Sequence, residues 1–234
     1  MSTPPPFRAV SRPRVAGVVC VLNRGEVDWG LALWLRALPA DVHVIGPKGN
    51  SIPRQRNLGV AHTAGDWVLF VDSDCQPPPH TLDQLLQWRV DIVGGVVLER
   101  FPPHRVAAMR TMEPPVRWLL QDLPLSGLEA VPAMGTGCLL VRRPVFERLE
   151  MPWFRCGQVP TCEDLLLEDF EFGLRCGKAG LTTFLDCGLR VGHRVQATLW
   201  PGRDGKPWVQ WDGGAVDSRA PLEDLISIGE TAWT

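Results

Sequence analysis

The segment Asp66-Trp67-Val68-Leu69-Phe70-Val71-Asp72-Ser73-Asp74 constrains the fold of this chain more than any other. Five consecutive apolar residues leave no polar face, and two carboxylates then follow one residue apart. Such a run fits a strand buried on both sides, in a sheet covered by helices. Residues 15–22 form a second run of this kind, closed by Asn23-Arg24. Between the two, 28–38 carries Leu31, Leu35 and Leu38 at helical spacing, with Pro39 just beyond. Residues 42–45 read as a short strand closed by Gly46-Pro47, and 53–64 as a helix with Pro in its first turn. This β-α-β-α-β order predicts an α/β domain with a single, Rossmann-like, mostly parallel twisted sheet and helices on both faces.

Further along, 81–88 reads as a helix, 92–98 as a strand, 138–141 as a strand after Gly135-Thr136-Gly137, 163–176 as a helix and 181–185 as a strand. Segments 198–200 and 208–211, either side of Pro201-Gly202-Arg203-Asp204-Gly205, suggest a hairpin. A chain of 234 residues, 45% hydrophobic and 21% charged, has enough apolar surface for one sizeable core and is not disordered in character. Its net charge of -2 gives no footprint of a DNA-coating protein. The charge is uneven, +3 over residues 1–117 and -5 over 118–234, which suits an anion site early and an acidic site late.

Seven cysteines, odd in number, irregularly spaced and without a CxxC pair, support neither a zinc knuckle nor a dithiol redox site. They fit a reducing, cytoplasmic setting, with a Cys156–Cys162 disulfide as the minor alternative. The apolar run at 15–22 is too short to span a bilayer, and residues 1–14 lack the apolar core of a signal peptide.

Four segments carry candidate chemistry. Asp72 and Asp74, at the C-terminal end of a buried strand, are hard ligands for Mg²⁺ or Mn²⁺, and equally suit a turn and cap ahead of Pro77. Arg54 and Arg56 stand in the first turn of a predicted helix, where free backbone N–H groups and guanidinium forks together suit an anion, with Lys48 nearby. The alternatives for these arginines are pairing with Asp66 or a solvated face. The 163–176 segment holds five acids around a Leu166, Phe170, Leu174 stripe, with Glu171 and Arg175 spaced for an ion pair and Asp169 beside the stripe as a candidate general base. A solvated helix face reads the same way. His193, after Leu189-Arg-Val-Gly, is a candidate ligand or acid–base group, or a packed histidine.

Taken in order, these segments resemble the GT-A fold glycosyltransferases, in particular the family-2-like group. Pro53-Arg54-Gln55-Arg56-Asn57-Leu58-Gly59, Ala64-Gly65-Asp66 and Phe70-Val71-Asp72-Ser73-Asp74 resemble the helix and DxD segment that bind a nucleotide-sugar. Met134-Gly135-Thr136-Gly137-Cys138 with Arg142-Arg143-Pro144 resembles the acceptor-side strand and turn. Glu168-Asp169-Phe170-Glu171-Phe172 resembles the helix bearing the catalytic base, and Val191-Gly192-His193 the late histidine. The resemblance covers residues 15–193. It implies donor contacts from Asn23, Arg24, Lys48, Arg54, Arg56, Asn57, Asp72, Ser73 and Gly137. It also implies Mn²⁺ or Mg²⁺ on Asp74 and His193 with Asp72 beside it, and Asp169 as base next to Glu168 in an inverting displacement. Glu163-Asp164 is a rival acidic pair without the Phe-Glu-Phe-Gly continuation.

The implied division is a tail at 1–14, a donor half at 15–98, an acceptor and catalytic half at 99–195, and a hairpin and tail at 196–234. The chain has no acid at Val44-Ile45-Gly46-Pro47-Lys48, where such enzymes often place a uracil-reading Asp. The implied partners are a nucleotide-sugar donor and, as acceptor, a small molecule, a glycan or a modified nucleic acid. A nucleotidyltransferase and a non-catalytic nucleotide- or glycan-binding domain are the alternatives. The first would put a basic glycine-rich loop after the first strand, where 23–30 has one Arg and no glycine cluster.

Overall fold

The structure, a computed structural model, describes residues 15–21, 27, 29–46, 51–100, 104–158, 165–195, 197–201, 207–211 and 220–221. Its strands are β1 (Val15–Val21), β2 (Val42–Ile45), β3 (Trp67–Asp72), β4 (Cys75–Gln76), β5 (Ile92–Val96), β6 (Met109–Met112), β7 (Pro115–Arg117) and β8 (Leu128–Val131). They continue with β9 (Cys138–Arg142), β10 (Gly157–Gln158), β11 (Leu165–Leu166), β12 (Thr183–Arg190), β13 (Gly192–His193), β14 (Ala197–Pro201), β15 (Pro207–Trp211) and β16 (Ala220–Pro221). The helices are α1 (Trp29–Ala37), α2 (Ile52–His62), α3 (Thr81–Gln87), α4 (Arg143–Glu147) and α5 (Glu168–Lys178).

Seven strands form one sheet in the order β2-β1-β3-β9-β5-β12-β8. The buried run of β3 feeds two cores by simple alternation. Val68 and Phe70 pack with Val60 of α2, Phe146 of α4 and Phe172 of α5. Trp67, Leu69 and Val71 pack with Leu31 and Leu35 of α1 and Leu82 and Leu85 of α3. A strand with helices on each side must be apolar at every position, which is why its sequence shows no period of two. On the first face Phe70 stands edge-on to Phe154, which stacks on Phe172 with centroids 4.6 Å apart. Asp186, buried in mid-β12, accepts from Gln84 Nε2, Trp88 Nε1 and the backbone of Gly188, so this carboxylate docks α3 and its C-terminal end on the sheet.

The expectation of a mostly parallel, Rossmann-like sheet is not met. β1 runs parallel to β2 and β3, and β12 to β5, but β9 is antiparallel to both β3 and β5, and β8 to β12. The small sheets add five more antiparallel pairs, β4 with β13, β6 with β7, β10 with β11, β14 with β15 and β15 with β16. Antiparallel pairing therefore dominates among the described strands. The physical reason is the connection after β5. A parallel return needs a long crossover, usually a helix. Between β5 and β9 there is a hairpin (β6–β7), one 3₁₀ turn and β8. β9 therefore starts beside the C-terminal end of β3, with Cys138 opposite Val71, and runs back. A doubly buried strand reads the same in either direction.

The helix expected over 163–176 is also shorter than its pattern. Leu165 and Leu166 pair with β10, so α5 begins at Glu168 and Leu166 is not part of its stripe. Arg175 does not pair with Glu171. It donates to the carbonyls of Glu150, Pro152 and Trp153, while Glu171 pairs with Arg155 at 3.5 Å. Among the described residues no helix is long and apolar enough to cross a membrane.

Candidate active site

β3 delivers Asp72 to the end of the sheet, and the Ser73-Asp74 turn leads straight into β4. β4 pairs with β13, placing His193 opposite Cys75, and the backbone N–H of Arg194 donates to the Asp74 carbonyl at 2.8 Å. This short ladder brings a histidine from late in the chain to the aspartate turn. Ligand atoms of Asp74, Cys75 and His193 lie within 4.8 Å of one another.

His193 Nδ1 lies 2.6 Å from the Leu98 carbonyl, which can only accept, so Nδ1 carries the proton. Nε2 accepts from Arg100 Nε at 3.1 Å, so the ring is neutral and its one lone pair faces the corner, and burial, followed by Arg100, lowers the pKa of this imidazole. Its 3.7 Å approach to Asp74 Oδ1 is thus no ion pair. That Oδ1 is buried and has no hydrogen-bond partner. A buried acceptor left orphaned beside an imidazole lone pair, with a thiol adjacent, is a donor set that fits a divalent cation. The Cys75 thiol is held well above its ordinary pKa, first by burial and then by Asp72, so Asp74 and His193 are the ready ligands.

Arg56 of α2 is 3% exposed and sits between two carboxylates. Nη2 donates to both oxygens of Asp72, at 3.0 and 3.3 Å, and Nη1 donates to Glu168 Oε1. Burial opposes its charge, but Asp72, Glu168 and Asp169 outweigh that and hold it above its usual pKa. The guanidinium ties the end of β3 to the first turn of α5.

That first turn holds Glu168, Asp169 and Glu171, where acids complement the helix dipole. Asp169 Oδ1 accepts from the Phe170 N–H at 2.8 Å. Burial pushes its pKa up to about 6, against the pull of Arg56 and with the help of Glu168. Asp72, Gly137, Asp169, His193, Arg100 and Arg117 line one cavity of about 500 Å³. A Cβ at Gly137 would lie 2.9 Å from Cys75 Sγ, so any larger residue there would push this thiol aside.

The remaining expected residues are placed as follows. Arg54 is exposed on α2, and Ser73 is buried in the turn. Asn57 donates to the Pro53 and Phe154 carbonyls and accepts from the Phe154 N–H, so its amide holds the Phe154 loop. Asn23, Arg24 and Lys48 lie outside the described residues. Cys156 is a free cysteine, and Cys162, its suggested partner, lies outside the described residues. Sequence reasoning missed Cys75, Arg100 and Arg117. Cys75 was signalled only by following Asp74, and the two arginines stand in no motif. Arg117 is fixed by Glu99 at 2.6 Å and lies over the Phe170 ring at 4.6 Å.

The family model for glycosyl transferase family 2 matches residues 30–149, just over half the chain. The chain belongs to glycosyl transferase family 2. It is thus a glycosyltransferase-type enzyme. The match includes Arg56, Asp72 and Asp74 of this glycosyltransferase, while Asp169 and His193 lie beyond it and join the site through α5 and β13. Among solved structures, the crystal structure of A197 from STIV is similar at a TM-score of 0.54 and 18% identity, over 86% of this chain and 96% of that one. At that identity the likeness is one of fold. The crystal structure of GalNAc-T7 with UDP, GalNAc and Mn²⁺ matches at a TM-score of 0.48 and 13% identity, over 78% of this chain and 44% of that one. The search of curated proteins gave no match.

Proposed function

We propose that this glycosyltransferase moves a sugar from a nucleotide-sugar donor to an acceptor hydroxyl, with Asp169 as general base and inversion at the anomeric carbon. The observation that carries the reading is the cavity itself, which Asp72 at the end of β3, His193 and Asp169 line together. Donor and acceptor would thus meet in one cleft.

Asp74 and His193 would hold Mn²⁺ or Mg²⁺, with Asp72 and Cys75 alongside. The bound cation supplies positive charge that offsets the charge developing on the departing nucleoside diphosphate. Asp72, clamped by Arg56, keeps a fixed orientation towards the donor end. Arg54, exposed on the same helix, is the arginine proposed for donor phosphate, and Arg56 is the one that positions carboxylates. Asp169 takes the acceptor proton as the hydroxyl attacks. A pKa of about 6 keeps it mostly ionised at pH 7 and makes it a stronger base than an ordinary carboxylate. A single displacement needs one base and one stabilised leaving group: Asp169 would serve the first, and a cation held by Asp74 and His193 the second.

The experiment is a panel of nucleotide-sugars incubated with the purified protein and Mn²⁺, following release of nucleoside diphosphate. Release from at least one donor, abolished by chelation and by Asp74→Ala, is the expected result. No release from any donor, or release indifferent to both treatments, contradicts the metal-dependent reading. Product NMR checks the stereochemistry separately, since retention of the donor's anomeric configuration would remove the inverting step.

A further inference from the structure

Arg100 reaches into the corner assigned to the metal. Its Nη2 contacts Asp74 Oδ2, and its Nε donates to His193 Nε2 at 3.1 Å. The imidazole has one lone pair to give, because Nδ1–H is spent on the Leu98 carbonyl. A cation that ligates His193 must therefore take that lone pair from Arg100. The same guanidinium lies against one oxygen of Asp74, while the other, Oδ1, is the buried orphan. A guanidinium and a divalent ion carry the same sign of charge, so they also repel when held at one carboxylate.

We propose that Arg100 is a resident cation of the Asp74–His193 corner, one that a metal ion must displace. The proposal rests on the reading that Asp74 and His193 take a divalent cation. Between loadings the guanidinium neutralises Asp74 and keeps the imidazole turned into the corner, so the ligands stay preformed. The competition also sets a threshold. An ion that gains from an imidazole nitrogen, such as Mn²⁺, can offset the loss of the arginine contacts, whereas Mg²⁺, which prefers oxygen ligands and gives up water reluctantly, gains less. Arg100 is in this sense a specificity-determining residue for the metal and takes no part in the chemical step. Side-chain exposure of about a quarter gives the guanidinium a way out towards solvent.

The test is Mn²⁺ binding without donor, read by electron paramagnetic resonance of the free ion. Arg100→Met keeps the chain's bulk and removes the competitor, and it should tighten Mn²⁺ binding at least tenfold. Arg105→Met is the control, since Arg105 lines the same cavity while the guanidinium on Asp74 and His193 is that of Arg100. It should change the affinity less than twofold. Unchanged or weaker binding in Arg100→Met overturns the proposal, as does equal tightening in Arg105→Met, which would show a general field effect. If neither the wild type nor Arg100→Met binds Mn²⁺, the metal reading fails and this inference with it. Should Arg100→Met not fold, phenylglyoxal labelling of the wild-type protein decides. Mn²⁺ should speed modification of Arg100, read by mass spectrometry, and an unchanged or slower rate overturns displacement.

Discussion

Nη2 of Arg56 lies 3.0 Å from Oδ1 of Asp72, so a side chain from α2 is bonded to the last residue of β3. The other terminal nitrogen meets Glu168 at the start of α5. Two segments that lie 96 residues apart in sequence at their acids, Asp72 and Glu168, thereby share one buried cation. The arrangement makes Arg56 a positioning residue for the carboxylates that flank the cavity.

Removing that cation leaves the buried Glu168 and the half-buried Asp72 uncompensated. Arg56→Met should therefore destabilise the fold by about 3–5 kcal/mol, the scale for breaking a buried pair by deleting one partner. Urea unfolding read by circular dichroism checks it. A midpoint equal to the wild type would show that Asp72 and Glu168 do not depend on this arginine.

The pH–rate profile should have an acid limb near pH 6, because Asp169, with its raised pKa of about 6, acts only when ionised. Arg56 pulls this pKa down, so a folded Arg56 variant should shift the limb to higher pH. Measuring kcat/KM from pH 4.5 to pH 8 decides. A limb near the ordinary carboxylate value of about 4 would assign the base elsewhere.

Asp169 also carries a stability cost. Its folded pKa lies above the unfolded value of 3.8, so the native state binds the extra proton between about pH 4 and pH 6, and stability falls as pH rises across that window. Asn has no proton to lose. Asp169→Asn should melt at a higher temperature than wild type above pH 6, with the difference shrinking towards pH 4. A difference that does not vary with pH would mean that the gain has another source.

Gly173 sets how closely α5 approaches the loop after β8. A Cβ there would sit 2.7 Å from Ala133 Cα, and backbone cannot swing aside. Gly173→Ala should cost about 1–3 kcal/mol, the range for overpacking. It should also lower turnover by shifting the first turn of α5. Wild-type stability together with wild-type turnover would show that the helix tolerates the displacement.

The layered α/β character was legible because β3 and its neighbours are apolar at nearly every position, and the candidate carboxylates were legible because they close the run of β3. The direction of β9 was not, since burial on both faces carries no sign of polarity. The start of α5 was misplaced because Leu165 and Leu166 fit a helical stripe equally well, and only their pairing with β10 ends the helix there. The role of Arg56 was hidden for a similar reason. An arginine in the first turn of a helix invites an anion, and the sequence does not say whether that anion is a ligand or a carboxylate 16 or 112 residues away. Arg100 could not be found by motif, because its place depends on the pairing of β4 with β13.

The most direct measurement is the donor affinity and the turnover of Asp169→Asn, taken by calorimetry and by product release with the donor found in the nucleotide-sugar panel. Asn keeps the size of the side chain and cannot accept the hydroxyl proton. Donor and Mn²⁺ affinity should match the wild type within about twofold, while turnover falls at least ~100-fold, the scale of a lost general base. Turnover within tenfold of the wild type, with donor binding intact, would contradict Asp169 as the base of this glycosyltransferase.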